Sequence, residues 1–308
     1  MISILMATFN GEAYVAEQIE SILSQTVQLF KIYIRDDCST DNTYQIIQSY
    51  AQTYPEKIFV SSNQVNSGNP KYNFIHMMIE HKDDYVMLCD QDDVWLPGKI
   101  EKTLAVMKSM EEKYGQDVPL LCYTDLAVVN ETLQVLHPSF RMIMNSNFDK
   151  NKLNQLVIQN TLTGCTALYN RALADLIMEE PSFMVMHDWW LILVAAAFGK
   201  IGHSDAQTIL YRQHSSNQIG AKNVRTLRYK LSLLLKGDDV KAALMQTYAQ
   251  AQCLLTVYEE MLSPSQKRLL RRYSEIPKLP KVCRWIRVLS LGTLKNSFSR
   301  NVGHFLFI

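Results

Sequence analysis

The sequence predicts an α/β protein built on a mostly parallel central sheet flanked by helices, and three observations predict it. Short β-rich runs alternate with stretches of helical periodicity over the first 130 residues. Clusters of acids follow the apolar strands directly, at the carboxyl ends where open α/β sheets gather ligands. The composition, 308 residues with 47% hydrophobic and 20% charged, is that of an ordinary globular chain able to bury a large core.

Each element follows from its own pattern. Ile2 to Ala7 reads as a strand, Asn10-Gly11 as a turn, and Val15, Ile19, Ile22 and Leu23 recur at helical spacing. Phe30, Ile32 and Ile34 alternate with polar partners in a second strand, which ends in Asp36-Asp37 ahead of a helix carrying Tyr44, Ile47 and Ala51. Ile58 to Ser61 is a third strand, Pro70 suits the start of a helix, and Tyr85 to Cys89 is a buried strand ending in Asp90-Gln91-Asp92-Asp93. Pro97 opens another helix and Leu120 to Val129 is extended. Beyond a looser stretch, Arg171 to Glu179 and Asp188 to Phe198 look helical and Thr208 to Arg212 extended. Helices are expected at Val224–Lys236, Val240–Met261 and Ser265–Ser274, and Leu291, Leu294, Phe298, Val302 and Phe305 fall on one helical stripe. The domain reading is a ligand-binding and catalytic domain at 1–220 and a helical, basic, partly amphipathic region at 221–308.

The charge is uneven. From Ser265 onward ten Lys and Arg stand against the single acid Glu275, a net +9 against −8 for the rest of the chain. Such a tail suits an anionic surface, with a solvated helical face as the plain alternative. The longest apolar run, Trp189 to Phe198, is ten residues, half of what a spanning helix needs. With no leader at the start, the expectation is a cytoplasmic protein, peripheral on the inner membrane face, whose six scattered cysteines stay reduced.

Three motifs carry chemistry. Asp90-Gln91-Asp92-Asp93 places three carboxylates within four residues, a set of hard oxygen ligands suited to Mg2+ or Mn2+ beside a diphosphate, or simply an acidic turn. Asp188, in the run Met186-His187-Asp188-Trp189-Trp190, heads an apolar stretch, where a helix cap is the plain reading. Tyr211-Arg212-Gln213-His214-Ser215-Ser216-Asn217-Gln218 brings a cation, an imidazole and amides to a strand end, where Arg212 and His214 have alternate positions and share a side if extended.

Taken together, Met6-Ala7-Thr8-Phe9-Asn10-Gly11, Arg35-Asp36-Asp37-Cys38-Ser39-Thr40-Asp41 and the Asp90-Gln91-Asp92-Asp93 cluster resemble the family 2 glycosyltransferases of the GT-A fold, over about residues 1–220. The Asp-Gln-Asp-Asp-Val-Trp form and the later Tyr-Arg-Gln-His are most similar to bacterial rhamnosyltransferases of surface polysaccharide synthesis. The resemblance implies that Thr8, Asn10 and Glu12 shape the nucleotide pocket and that Asp37 or Asp36 reads the base. The other of the two acids would serve the next helix. It also implies that Lys71 approaches the diphosphate and that Asp90, with Gln91 beside it, faces the ribose. Asp92 would hold a Mn2+ or Mg2+ ion, with Asp93 and His214 as further ligands, and Arg212 would neutralise phosphate charge.

By the same resemblance Asp188 is the catalytic base, with His187 where many relatives carry Glu. Gly164 permits close approach of a sugar, and Trp189 or Trp190 offers a ring to the acceptor unless it is core. The implied reaction is inverting transfer of a sugar, L-rhamnose from dTDP-L-rhamnose, with a UDP-sugar as the alternative donor. The implied acceptor is a growing, lipid-linked cell-surface glycan. Outside that class stand a nucleotidyltransferase, for which no glycine-rich phosphate loop follows the first strand, and a non-catalytic carbohydrate-binding or scaffold protein. Nucleic acid is not an expected partner. The C-terminal helices would serve a homodimer or pack on the catalytic domain.

Overall fold

A computed structural model describes residues 1–214 and 237–308. The expected helix at 224–236, and Ser215 to Gln218 of the third motif, lie outside the described residues. The described chain divides into two compact units: one of Met1–Phe140, Leu162–Glu180 and the residues from Gly199, the other of Arg141–Thr161, Pro181–Phe198 and the C-terminal helices. The second unit thus draws two segments from upstream of residue 220, where the sequence reading drew a single boundary.

All nine described strands belong to the first unit. In chain order they are β1 (Ile2–Thr8), β2 (Phe30–Asp36), β3 (Ile58–Ser62), β4 (Tyr85–Cys89), β5 (Val94–Trp95), β6 (Leu120–Val129), β7 (Val135–His137), β8 (Ala167–Asn170) and β9 (Lys200–Arg212). The sheet order is β3-β2-β1-β4-β8-β6-β9-β5, with β7 pairing β6. β1, β2, β3 and β4 are parallel, as the βα units predict, with Met6 opposite both Ile34 and Cys89. The other half is mixed: β8 runs antiparallel between β4 and β6, while β6 and β9 are parallel. The sheet is thus wholly parallel in one half and mixed in the other, within the α/β class that the sequence predicts. Burial follows the pairing. β1 and β6 are buried along their whole length, whereas β2, also inside the sheet and next to the edge strand β3, alternates buried and half-buried residues.

Helices α1 (Val15–Leu23), α2 (Thr43–Thr53), α3 (Pro70–Glu80) and α4 (Lys99–Tyr114) cover this sheet. α3 starts as its sequence demands, with Pro70 in the first turn and the Asn69 carboxamide accepting from Lys71 N. Between β7 and β9 lie α5 (Phe140–Met144), α6 (Leu153–Leu156), α7 (Arg171–Ala174) and α8 (His187–Phe198). The helix expected over 171–179 is thus a single turn: the Asn170 side chain caps Leu173 N, and Asp175 is already the C-cap. β9 is far longer than Thr208–Arg212, because Lys200 to Gln207, too polar to read as a strand, pair with β6.

In the second unit α8 is buried from Trp190 to Ala195. It shares that unit with α9 (Gly237–Val257), α10 (Pro264–Ser274), α11 (Lys281–Leu291) and α12 (Phe298–Phe307). Tyr258 joins them, its ring 6.1 Å from Trp190 and 5.2 Å from Phe198, and Gln250 Oε1 accepts from Val185 N at 2.7 Å. A Ser263–Gln266 capping box starts α10. The stripe from Leu291 to Phe305 is not one helix. Gly292, at φ 65°, ends α11 in a left-handed cap, and Ser297 starts α12 by accepting from Arg300 N.

Candidate active site

The loops after β1, β2 and β4 are tied into one platform by side chains that replace missing strand partners. Beyond the last β1–β4 pair, the Gln91 carboxamide continues the ladder: its Oε1 accepts from Phe9 N at 2.9 Å and its Nε2 donates to Phe9 O at 3.0 Å. This is possible only beside a glycine, since a Cβ on Gly11 would lie 2.4 Å from Gln91 Oε1. Asn10 holds a left-handed φ of 47°, which Asn tolerates better than most residues. Its N donates to Ser39 Oγ at 3.0 Å, and its Oδ1 accepts from Thr40 N at 2.8 Å. Glu12 Oε2 accepts from both Asn42 N and Asn42 Nδ2, at 2.9 and 2.8 Å.

The two acids ending β2 divide between two loops. Asp36 accepts from Thr8 Oγ1, Ser39 N and Ser39 Oγ, which ties the end of β1 to the loop after β2. Asp37 accepts from Asn63 Nδ2, Ser67 N and Ser67 Oγ, which joins it to the loop before α3. Neither acid serves the start of α2, where Asp41 accepts from Thr43 N at 2.9 Å. Lys71 sits in the first turn of α3 with its Nζ 5.0 Å from the Tyr72 ring centre.

The structure separates the three carboxylates after β4. Asp90 and Asp92 are half-buried, while Asp93 is fully enclosed. Burial first, then the charges of Asp92 and Asp90, push Asp93 well above the usual carboxylate range, against the Arg212 N–H that its Oδ1 accepts at 3.1 Å. The Cys165 thiol lies against it, and ligand atoms of Asp90, Asp93 and Cys165 fall within 4.8 Å of one another. Burial, then Asp93 and Asp90, also hold that thiol well above its usual range, and the thiol donates to Asp93. Asp93 thus lies enclosed, in an acidic cluster with Asp90 and Cys165. Asp92 Oδ2 instead meets His214 Nε2 at 2.8 Å.

Arg212 holds this arrangement. Its Nε donates to Asp92 O at 2.9 Å, Nη1 to Glu131 O, and Nη2 pairs with the Glu17 carboxylate. The Tyr14 ring lies between them, 4.7 Å from the guanidinium carbon and 4.8 Å from the His214 ring. Arg212 and His214 do reach the same side, and the buried guanidinium is engaged by Asp92 O, Glu131 O and Glu17. Tyr14 and Glu17 were not singled out in the sequence; their signal is the i, i+3 spacing that puts both on one side at the start of α1. Lys99 was missed as well. It lies fully buried beside the acids, its Nζ 4.5 Å from the Trp95 ring centre, and burial lowers its pKa to about 8.

In the second unit Asp188 occupies the first turn of α8, half-buried, with its Oδ1 accepting from Trp189 N at 2.6 Å. A helix N-terminus favours negative charge there. His187 is enclosed and neutral, its pKa pushed down to about 3 by burial. Trp189 is half-buried and its indole donates to Leu156 O at 2.8 Å. Trp190 is 1% exposed and belongs to the core, which settles the alternative left open for it. Gly164, in the first unit, opens the buried turn that carries Cys165.

A sheet of this order, with the loops after β1, β2 and β4 tied into one surface, has known counterparts. The family model for glycosyl transferase family 2 matches residues 3–176. The chain belongs to that family. This family 2 member is similar to the dTDP-rhamnosyl transferase RfbG of Shigella flexneri, with 27% identity over 240 residues, 73% of this chain and 77% of that protein. In fold it matches the crystal structure of S. aureus TarS 1-349 in complex with UDP, with TM-score 0.58 and 16% identity over 91% of this chain and 73% of that one. It likewise matches the mannosyltransferase PcManGT from Pyrobaculum calidifontis in complex with GDP-Man and Mn2+, with TM-score 0.55 and 13% identity over 94% of this chain and 72% of that one. The fold is GT-A, and the protein is a family 2 glycosyltransferase related to a rhamnosyltransferase.

Proposed function

We propose that this glycosyltransferase moves L-rhamnose, with inversion, from dTDP-L-rhamnose to a growing lipid-linked cell-surface polysaccharide at the cytoplasmic face of the membrane. The observation that carries a nucleotide-sugar reaction is the shared platform of the β1, β2 and β4 loops, with the Asp92–His214 pair beside it. The relation to RfbG supports the rhamnosyl donor. A UDP-sugar is the second reading, favoured by the fold match to TarS in complex with UDP.

The chemistry assigned to each residue follows from its setting. Asp37 and Asp36 end β2 where a pyrimidine would present its N3–H, and Asn10, Glu12 and Gln91 keep that pocket in shape. Lys71 offers a point charge to the diphosphate. Asp92 and His214 would hold the divalent ion, and a carboxylate with an imidazole suits Mn2+ better than Mg2+, which prefers oxygen ligands alone. When bound, such an ion stabilises the charge gathering on the departing nucleoside diphosphate. Asp188 accepts the proton of the acceptor hydroxyl as that oxygen attacks the anomeric carbon, and Trp189 offers its ring to the acceptor.

Nucleoside diphosphate release tests the reading, measured with dTDP-rhamnose and a set of UDP-sugars, with Mn2+, Mg2+ or EDTA, and with membrane extract as acceptor. Turnover of dTDP-rhamnose that needs metal and acceptor is expected. Asp188→Asn is expected to lower it by about 10²–10⁴-fold, a general base's share of catalysis, without loss of fold. Nucleotide binding with full turnover in Asp188→Asn would remove Asp188 from the mechanism, and turnover of a UDP-sugar alone would select the second donor.

A further inference from the structure

α11 and α12 turn apolar side chains to solvent. On α11, Val282, Trp285, Ile286 and Leu289 repeat at i, i+3, i+4 and i+7 in an exposed stripe beside the buried Val288, with Ile286 62% and Leu289 60% exposed. On α12, Phe298, Val302 and Leu306 form a second exposed stripe opposite the buried His304, with Phe298 86% exposed. The two are joined, for the Trp285 indole donates to Phe305 O at 2.9 Å. Monomeric proteins rarely leave linked apolar stripes like these open to water.

Cations surround them. Lys281 lies over the Trp285 ring, and Arg287 Nη1 donates to Arg272 O at 3.1 Å. Between α10 and α11 lies a cleft of about 470 Å³ lined by Arg268, Arg272, Ser265 and Ser290. Arg272 Nη2 donates to Ser290 Oγ at 3.3 Å, and Ser290 directly follows Leu289, which puts the cleft at the polar edge of the apolar stripe.

We infer that α11 and α12 form a docking face for an anionic lipid bilayer. Their apolar stripes enter the headgroup–acyl boundary, and the Arg268–Arg272 cleft takes a lipid phosphate. Charge complementarity selects this occupant over a second copy of the chain, because an isologous dimer would set this net-positive surface against itself. Aromatic and aliphatic stripes edged by Lys and Arg are what an interfacial helix requires, and no helix among the described residues is long and apolar enough to cross the membrane. The inference deepens the proposed action on a lipid-linked acceptor, yet the binding can be measured with neither donor nor acceptor present.

The test is co-sedimentation of the full chain with vesicles of phosphatidylcholine alone or with about a third phosphatidylglycerol. The wild-type protein is expected to bind the anionic vesicles and to be released in about 0.5 M salt. The triple variant Ile286→Ser, Leu289→Ser, Phe298→Ser is expected to bind about tenfold more weakly or worse, since it removes apolar surface that is exposed in the free protein. Arg268→Gln with Arg272→Gln is expected to narrow the preference for anionic over neutral vesicles. Unchanged melting temperatures keep both sets interpretable. Equal binding by wild type and triple variant, no binding by wild type, or a lipid-free dimer that the triple variant dissolves would each overturn the proposal. Lost vesicle binding with donor turnover retained separates this surface from the proposed reaction, which would fail on turnover alone.

Discussion

The loop platform of the first unit and the α11–α12 surface of the second both present binding groups to solvent, but they are built in opposite ways. In the platform nearly every polar group already has an internal partner, as when Asp37 accepts three hydrogen bonds and Gln91 exchanges two with Phe9. On α11 and α12 the exposed groups are apolar and have no such partners to give up. A directional ligand needs donors and acceptors held within tenths of an ångström, and a closed hydrogen-bond network supplies that rigidity. A bilayer surface is fluid and asks only for area and charge. The consequence is a different response to mutation: a single change should unsettle the platform, whereas the helical face should weaken by increments.

That contrast can be broken most directly at Arg212. Arg212→Met removes a buried guanidinium that holds Asp92 O, Glu131 O and Glu17, and is expected to cost about 3 kcal/mol of stability, measured by urea unfolding. Arg212→Lys should recover little, since an ammonium cannot reproduce a planar fork. A Lys variant as stable as wild type would show that only the charge matters there.

A smaller effect distinguishes the units by acid. His187 is neutral in the fold, with a pKa near 3, against 6.5 for an exposed histidine. Above about pH 6.5 neither state is protonated and nothing is lost; below it the unfolded chain takes up a proton that the fold refuses, so stability falls as pH drops. At about pH 5 the loss from this group is about 2 kcal/mol. His187→Gln should flatten the fall in melting temperature between about pH 7 and pH 5, and an unchanged slope would point to other groups.

The smallest effect sharpens the claim about Gln91. Gly11→Ala should destabilise by about 1–2 kcal/mol through the forced displacement of the Gln91 side chain, with weaker nucleotide binding. In the double variant Gly11→Ala with Gln91→Ala the clash is gone, so the two effects should be far from additive. Additive losses would place the strain elsewhere.

How much of this was legible depended on whether a residue's role is local. β1 to β4 and their helices could be read because each strand is an apolar run and each helix has its own periodicity. The first half of β9 could not, because Lys200 to Gln207 become a strand only by pairing with β6. Nor could the antiparallel place of β8, four residues long, between β4 and β6. The stripe from Leu291 to Phe305 has sound helical spacing, but Gly292 carries the stronger local signal and stops the helix. At the site the residue types were legible and their division was not. Asp92 and Asp93 are adjacent letters, yet strand pairing between β5 and β9 leaves one half-buried beside His214 and the other enclosed. Trp189 and Trp190 part in the same way, at 100° of helix rotation.

The Gln91–Phe9 exchange has a mechanical meaning. A side-chain amide that imitates a peptide bond lengthens the β1–β4 ladder past the point where the backbone diverges. The loop after β1 and the loop that carries Asp90 and Asp92 are therefore one lever. Prising them apart means breaking both bonds at once, so this corner of the proposed site would act as a fixed anvil while any give came from other segments.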